Sequence, residues 1–481
     1  MTNRVAIGAG AVLALATGVA ELLHSRSVLY ALGALIAGAL AAAIVWFVTT
    51  LPGVTVRGLV IGGFFVLAGM VSWTYMADGK VVWAVLAVEG VVFAWWSWSW
   101  LRDLPALPRL GSAWLGLAYW LLGIVGALLV GAFTVGAQRI GYAGIFGLAV
   151  LAVVAGVRRD RGRDLSVGIV GAFGLAIAAL LVSGSGNLFQ HRHVIPQNGW
   201  GTEVMVHRFW GGKWLMYHPN SLALIAVVMA VRIGVDRAFA LWQRLAVTLL
   251  AGWVVYMTNS RTGFVYLAAA AAVHAYVIWR RRGADLPSYR RVWVAMVTPL
   301  AVAALVLVVS EVGGQGFLFK ARYDAGDPTS GRTESWKQVG REWADGNLVQ
   351  KAFGDTKTTR AVVVRNNMKL TTDNAAVGAL RRGGVLGELA FLLGLGLLLW
   401  YAWRGPRVPG PDGAAGVRRA PPAWLTVTAF GSVPTIATAD WLLGTTGGTL
   451  WILLVAGEAW LVLRPSQAVA ERPAEHATTT A

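Results

Sequence analysis

The sequence predicts an all-α, polytopic integral membrane protein with about fourteen transmembrane helices and one long outer loop. Three observations carry that reading. Of 481 residues, 57% are hydrophobic and 13% are charged, against ~25% charge in a soluble domain. Mean hydropathy is +0.61. Apolar runs of roughly 20 residues, the length that crosses a bilayer, recur along the whole chain. A soluble enzyme and a disordered chain are excluded. Cysteine is absent, which excludes a disulfide scaffold, a thiolate zinc site and a cysteine nucleophile. Lys and Arg number 41 against 23 Asp and Glu, a net charge of +18. In a soluble protein that excess would point to nucleic acid. In a membrane chain it fits anionic lipid head groups and basic cytoplasmic loops, so membrane lipids are the expected partners and nucleic acid is not.

In chain order, the apolar runs predict spans at 5–23, 27–49, 58–76, 81–101, 112–135, 140–157, 165–183, 216–234, 245–259, 263–279, 292–310, 375–401, 424–442 and 447–463. The first is a span rather than a signal peptide, because no cleavage pattern follows it and a second apolar run does. Basic clusters lie at Arg158–Arg163, at Arg232, Arg237 and Arg244, at Arg280–Arg291 and at Arg404–Arg419. An even number of spans separates each cluster from the next. All of them can therefore face the cytoplasm, with both termini, in a multi-pass protein of the plasma or inner membrane. Trp95, Trp96, Trp98 and Trp100 fit an aromatic belt at that inner interface.

The organisation that follows is 1–183 as N-terminal helices, 184–215 as a polar outer loop and 216–310 as core helices. Residues 311–374 then form a long extracytoplasmic loop, 375–403 a span and 404–423 a flexible cytoplasmic linker rich in Pro and Gly. The last two spans occupy 424–463, and 464–481 reads as a disordered tail. No internal repeat is visible, so the sequence gives no support to an inverted-repeat transporter. A phosphate-binding GxxxxGK[ST] loop, a dinucleotide GxGxxG and a zinc-binding HExxH are all absent. The long loop holds no His, and no metal or cofactor is expected.

On this topology the polar residues collect on the outer side. Thr258-Asn259-Ser260-Arg261-Thr262-Gly263 joins two spans with almost no loop. Arg261 there can fork onto phosphate oxygens, or it can simply snorkel to the interface. The long loop contains Ser330-Gly331-Arg332-Thr333-Glu334-Ser335-Trp336. From Lys320 to Arg382 there are twelve basic residues against seven acidic ones. Positive charge outside, against the usual bias, favours an anionic ligand; a solvated amphipathic loop helix is the plainer alternative. The loop closes on Thr371-Thr372-Asp373-Asn374 ahead of a Gly-rich helix start with Arg381 and Arg382. Asp373 can act as a general base or as a helix cap. Tyr217-His218-Pro219-Asn220 opens another span, where His218 can shuttle protons or hold an interfacial hydrogen bond.

These elements together resemble the O-antigen ligase / O-antigen polymerase superfamily, over about residues 215–400. The resemblance implies a metal-independent, inverting membrane glycosyltransferase of the GT-C type. It implies a polyprenyl-diphosphate-linked glycan as donor and a glycan, lipid or protein hydroxyl as acceptor, in the assembly of cell-envelope polysaccharide. Arg261 and Arg332 would hold the diphosphate. Ser260, His218, Asn374, Arg381 and Arg382 would contribute to substrate binding. The family usually places His before the Asn of the last motif, as activator of the acceptor. Here Asp373 stands in that place and becomes the candidate base, kept ionised by Arg381 or Arg382. Ligases and polymerases share these motifs. A transporter or lipid flippase is the rival from another class, since Glu89, Glu388 and Glu458 fall within predicted spans.

Overall fold

The structure is a computed structural model. It describes residues 2–56, 58–63, 88, 91, 110–160, 163–184, 192–195, 204–207, 209, 219–258, 260–281, 332–354, 361–363, 369–372, 374–405, 407–408, 417–418, 420–438, 455 and 457. Among these the protein is helical, with three short antiparallel strand pairs. The helices are α1 (Thr2–Ser25), α2 (Val28–Thr50), α3 (Gly111–Leu129), α4 (Phe133–Asp160), α5 (Arg163–Ser183), α6 (Pro219–Gly234), α7 (Leu241–Thr258) and α8 (Arg261–Arg281). They continue as α9 (Arg332–Ala344), α10 (Leu348–Phe353), α11 (Ala375–Arg404) and α12 (Ala423–Ser432), which runs into a 3-10 turn at Val433–Ala437. Seven helices among the described residues are long and apolar enough to cross a membrane. The expected span at 292–310, and most of those at 58–76, 81–101 and 447–463, lie outside the described residues.

Small residues set the packing, as they do where helices cannot be driven together by water. In the α1–α2 hairpin, a side chain on Gly38 would collide with Thr17 and Ala14. Thr17 uses that closeness to donate to the Ala34 carbonyl at 2.9 Å. Gly431 on α12 lies against Ala270 of α8 in the same way. At the centre stands α6, which buries fourteen of its sixteen residues. It is apolar all round, as a helix surrounded on every side must be. Helices α5, α7, α8 and α12 pack around it.

Three boundaries differ from the sequence expectation. The runs 112–135 and 140–157 divide at 130–132, where Gly131 turns with φ +71°. Gln138 and Arg139, read as part of a connection, therefore lie inside α4. Arg139 is buried and donates to the Gly123 carbonyl at 2.6 Å. The run 424–442 keeps α-geometry only to Ser432, because Pro434 has no N–H to continue it. The linker 404–423 is not featureless. Arg407–Val408 pair with Val417–Arg418 as β5 and β6. Within the two long loops, Arg192–Ile195 pair with Val204–His207 as β1 and β2. Ala361–Val363 pair with Lys369–Thr371 as β3 and β4.

The bundle has two chemically distinct ends. At one, Arg232 is fully buried. It bonds Ser166 of α5 at 2.8 Å, pairs with Asp236 at 3.0 Å and lies 4.7 Å over the Trp424 ring of α12. Arg280 lies over Trp403, and Arg404 over Trp400. Residues from or flanking each basic cluster of the sequence thus meet at this basic end. At the other end lie the first residues of α6, α8 and α11, with α9 and α10.

Candidate functional site

The second end is assembled from helix starts. Ser260 is fully buried and caps α8, its hydroxyl accepting from Gly263 N at 3.1 Å and donating to Asn220 Oδ1 at 3.0 Å. That pair locks the start of α8 to the start of α6. Gly263 makes the approach possible, since a Cβ there would stand 2.6 Å from that of Ala223. Thr262 donates to the Thr438 carbonyl at 3.2 Å, which ties the 3-10 turn after α12 to the same place. Beside it, Phe209 N donates to the Met257 carbonyl at 2.9 Å.

Arg261 is the first residue of α8, half-buried, with its Nε shielded from solvent. A cation in the first turn faces the positive end of the helix dipole, at a cost of about 0.3–1 kcal/mol. Arg332 occupies the equivalent first position of α9. At both helix starts the N–H groups and the guanidinium would attract the same kind of ligand, an anion.

The region around Arg332 is attached to α11 at two points. Trp336 Nε1 donates to the Thr372 carbonyl at 2.6 Å, three residues before α11 begins. Farther on, α10 is closed by an Asn347–Gln350 capping box and ends at Gly354, with φ +89°. Gly354 abuts the backbone of Arg381 to Gly384, and Gly384 (φ +61°) breaks α11 at that contact. Phe353 fills the space against Gly126 of α3.

The predicted residues divide as follows. Asn374 caps α11, accepting from Val377 N at 3.0 Å. The cap expected of Asp373 thus belongs to its neighbour. Ser260 is placed with Arg261, as its motif required, and its hydroxyl serves the cap. Arg381 is buried and Arg382 half-buried beside the helix break, where Arg382 Nε donates to Tyr119 Oη at 2.7 Å. Asp373 and His218 lie outside the described residues. Arg280 at the far end of α8 meets Trp403, and the same number of residues back from Trp403 reaches Gly384. Gly384 is thus as far along α11 from that contact as Arg261 is along α8. The 3-10 turn packs against both helices. Asn220, Tyr119 and Arg139 were not singled out by sequence reading. Only Arg139 carried a signal, as a charge just beyond an apolar run. Among the described residues no three His, Asp or Glu cluster as metal ligands would.

Residues 246–345 match the O-antigen ligase family. The matched segment takes in α7 almost from its start, all of α8 with Arg261, and α9 with Arg332. The resemblance read from the sequence to the O-antigen ligase superfamily thus stands on an independent finding. His218 precedes the segment; Asp373, Asn374, Arg381 and Arg382 follow it. Comparison with curated proteins and with solved structures gives no match. The O-antigen ligase match and the apolar helices together suggest a multi-pass, glycosyltransferase-like membrane protein.

Proposed function

We propose that the protein transfers a glycan from a polyprenyl-diphosphate carrier to an acceptor hydroxyl on the extracytoplasmic face of the cell membrane. The observation that carries this reading is that one O-antigen ligase segment holds two arginines, Arg261 and Arg332, each at a helix start. The leaving group is a lipid diphosphate. As the bond between the anomeric carbon and the phosphate oxygen breaks, negative charge grows on that oxygen. Two fixed guanidinium forks and the adjacent helix N–H groups meet that charge, a role otherwise open to a divalent cation. The acceptor oxygen attacks the anomeric carbon from the opposite side and loses its proton to Asp373. A single displacement inverts the configuration. Because Asn374 serves as the helix cap, Asp373 is not required there and can act as the base. The Ser260–Asn220 bond ties the helix start that carries Arg261 to α6, and Arg381 and Arg382 follow Asp373 in the chain as added positive charge.

The test uses purified protein in detergent, a lipid-diphosphate glycan and candidate acceptors. Release of free lipid diphosphate together with a glycosylated acceptor is the expected result. A transporter or flippase would yield neither without a sealed compartment. Arg261→Ala and Arg332→Ala should each lower transfer by about a hundredfold or more while leaving the protein folded. Normal transfer by either variant would overturn the diphosphate assignment.

A further inference from the structure

At the basic end, Arg280 lies in the last turn of α8 and Arg404 closes α11; both are exposed. Arg280 stacks 4.4 Å over Trp403, and Arg404 stacks 4.8 Å over Trp400, one turn earlier on α11. Residues three apart on a helix are surface neighbours, so the two stacks share one face of α11. Trp403 also stacks on Tyr276 of α8 at 5.8 Å and meets Phe430 of α12 edge-on at 5.6 Å. Tryptophan and tyrosine grouped at helix ends mark the depth of lipid head groups. A stacked guanidinium uses its face and keeps its N–H donors, which lie in its plane. Among the described residues, neither Arg280 nor Arg404 has a hydrogen bond or an ion pair. Arg232, at the same end but buried, has both.

The β5–β6 hairpin brings two more arginines to this place. Gly405 (φ +67°) turns the chain out of α11, and Arg407 follows three residues after Arg404. Three residues span about 11 Å at most, so the hairpin begins beside the exposed arginines. Its register sets Arg407 directly opposite Arg418. The helix dipole favours a cation in the last turn of α8 and of α11. It gives no reason for two cations paired across a short ladder, where like charges are destabilising. An anion bound there removes that cost.

We propose that the ends of α8 and α11 and the β5–β6 hairpin form a binding site for the phosphate head group of an anionic phospholipid. The aromatic residues set these arginines at the depth of lipid phosphates, which favours a lipid over a soluble anion. The site lies at the opposite end from Arg261 and Arg332, and it does not rest on the glycosyltransferase reading.

The test titrates the full chain in detergent with phosphatidylglycerol, phosphatidylcholine or inorganic phosphate. It reads the melting temperature and, by native mass spectrometry, the lipid retained. Phosphatidylglycerol should raise the melting temperature and stay bound. Zwitterionic phosphatidylcholine and inorganic phosphate should do neither. Arg404→Gln and Arg407→Gln should each weaken phosphatidylglycerol binding about fivefold. Arg237→Gln, at an exposed position between α6 and α7, controls for net charge and should weaken it far less. In lipid-free detergent Arg407→Gln should melt no lower than wild type, because it removes a like-charge pair. A purely structural arginine would lower the melting temperature with lipid and without it, and that result overturns the hairpin's part in the site. Equal stabilisation by phosphatidylcholine, or equal losses in Arg237→Gln and Arg404→Gln, reduces these arginines to general surface charge and overturns the proposal. Stabilisation by inorganic phosphate alone overturns the assignment to a lipid.

Discussion

Arg261 and Arg332 each open a helix whose dipole repels them, and the identity of the cation decides what that position can do. Lysine would keep the charge and lose the planar fork. Arg261→Lys should therefore transfer glycan at least about tenfold more slowly than wild type, yet faster than Arg261→Ala, in the detergent assay. Equal rates for Lys and Arg would show that charge alone suffices there. Asp373→Asn should remove transfer if the carboxylate takes the acceptor proton. Activity retained in that variant would move the base to His218. Arg232 makes a useful contrast, being fully buried at the opposite end with Asp236, Ser166 and Trp424. Removing it deletes the bonds to Ser166 and Asp236 and the Trp424 contact together, so Arg232→Ala should cost about 3 kcal/mol and lower the melting temperature. Pyrophosphate binding by the surviving folded protein should be unchanged. The placement of Arg261 was legible because Thr258 to Gly263 leaves no room for a loop. The neighbours that hold it were not, because Asn220 is forty positions away from Ser260 and no periodicity connects them.

Elements were legible where apolar length decides and illegible where a single residue redirects the backbone. The limits of α2 and α5 fall within about two residues of the expected ones, because a bilayer-length apolar run leaves few alternatives. The turn at Gly131 is three residues long and sits inside an apolar stretch, so composition could not place it. The amphipathic helix expected in the long loop is present as α9, but its attachment to α11 depends on two glycines that face each other at positive φ. At Gly354 a side chain would press on the Arg381 carbonyl, and at Gly384 on the Ala352 backbone. Gly354→Ala or Gly384→Ala should each cost about 1–3 kcal/mol by strain and overpacking. They should also loosen α10 enough to speed tryptic cleavage after Lys351. Because α9 shares that attachment, glycan transfer should fall while binding of pyrophosphate at Arg261 weakens less. Unchanged proteolysis and transfer would mean that the Trp336–Thr372 bond alone holds the loop helices in place.

Across the whole molecule, the two ends differ in kind. Buried and interfacial arginines stacked on Trp400, Trp403 and Trp424 mark one, and the motif-bearing helix starts mark the other. If the basic end faces the cytoplasm, as the positive-inside rule requires, the motif end meets the donor after it has been carried across the membrane. The chain contains no cysteine, so a single introduced thiol reports its own side without background. Leu348 on α10 is 85% exposed at the motif end, and Ala238 is exposed between α6 and α7 at the basic end. In intact cells a membrane-impermeant maleimide should label Leu348→Cys and spare Ala238→Cys until the membrane is opened. The reverse pattern would place Arg261 and Arg332 in the cytoplasm. A carrier-linked glycan delivered to the outer leaflet could then not reach them, and the donor would have to be sought among lipid diphosphates of the inner leaflet. Both residues lie outside the diphosphate site, so each variant should retain full transfer in detergent, and the labelling then reports orientation in a working enzyme.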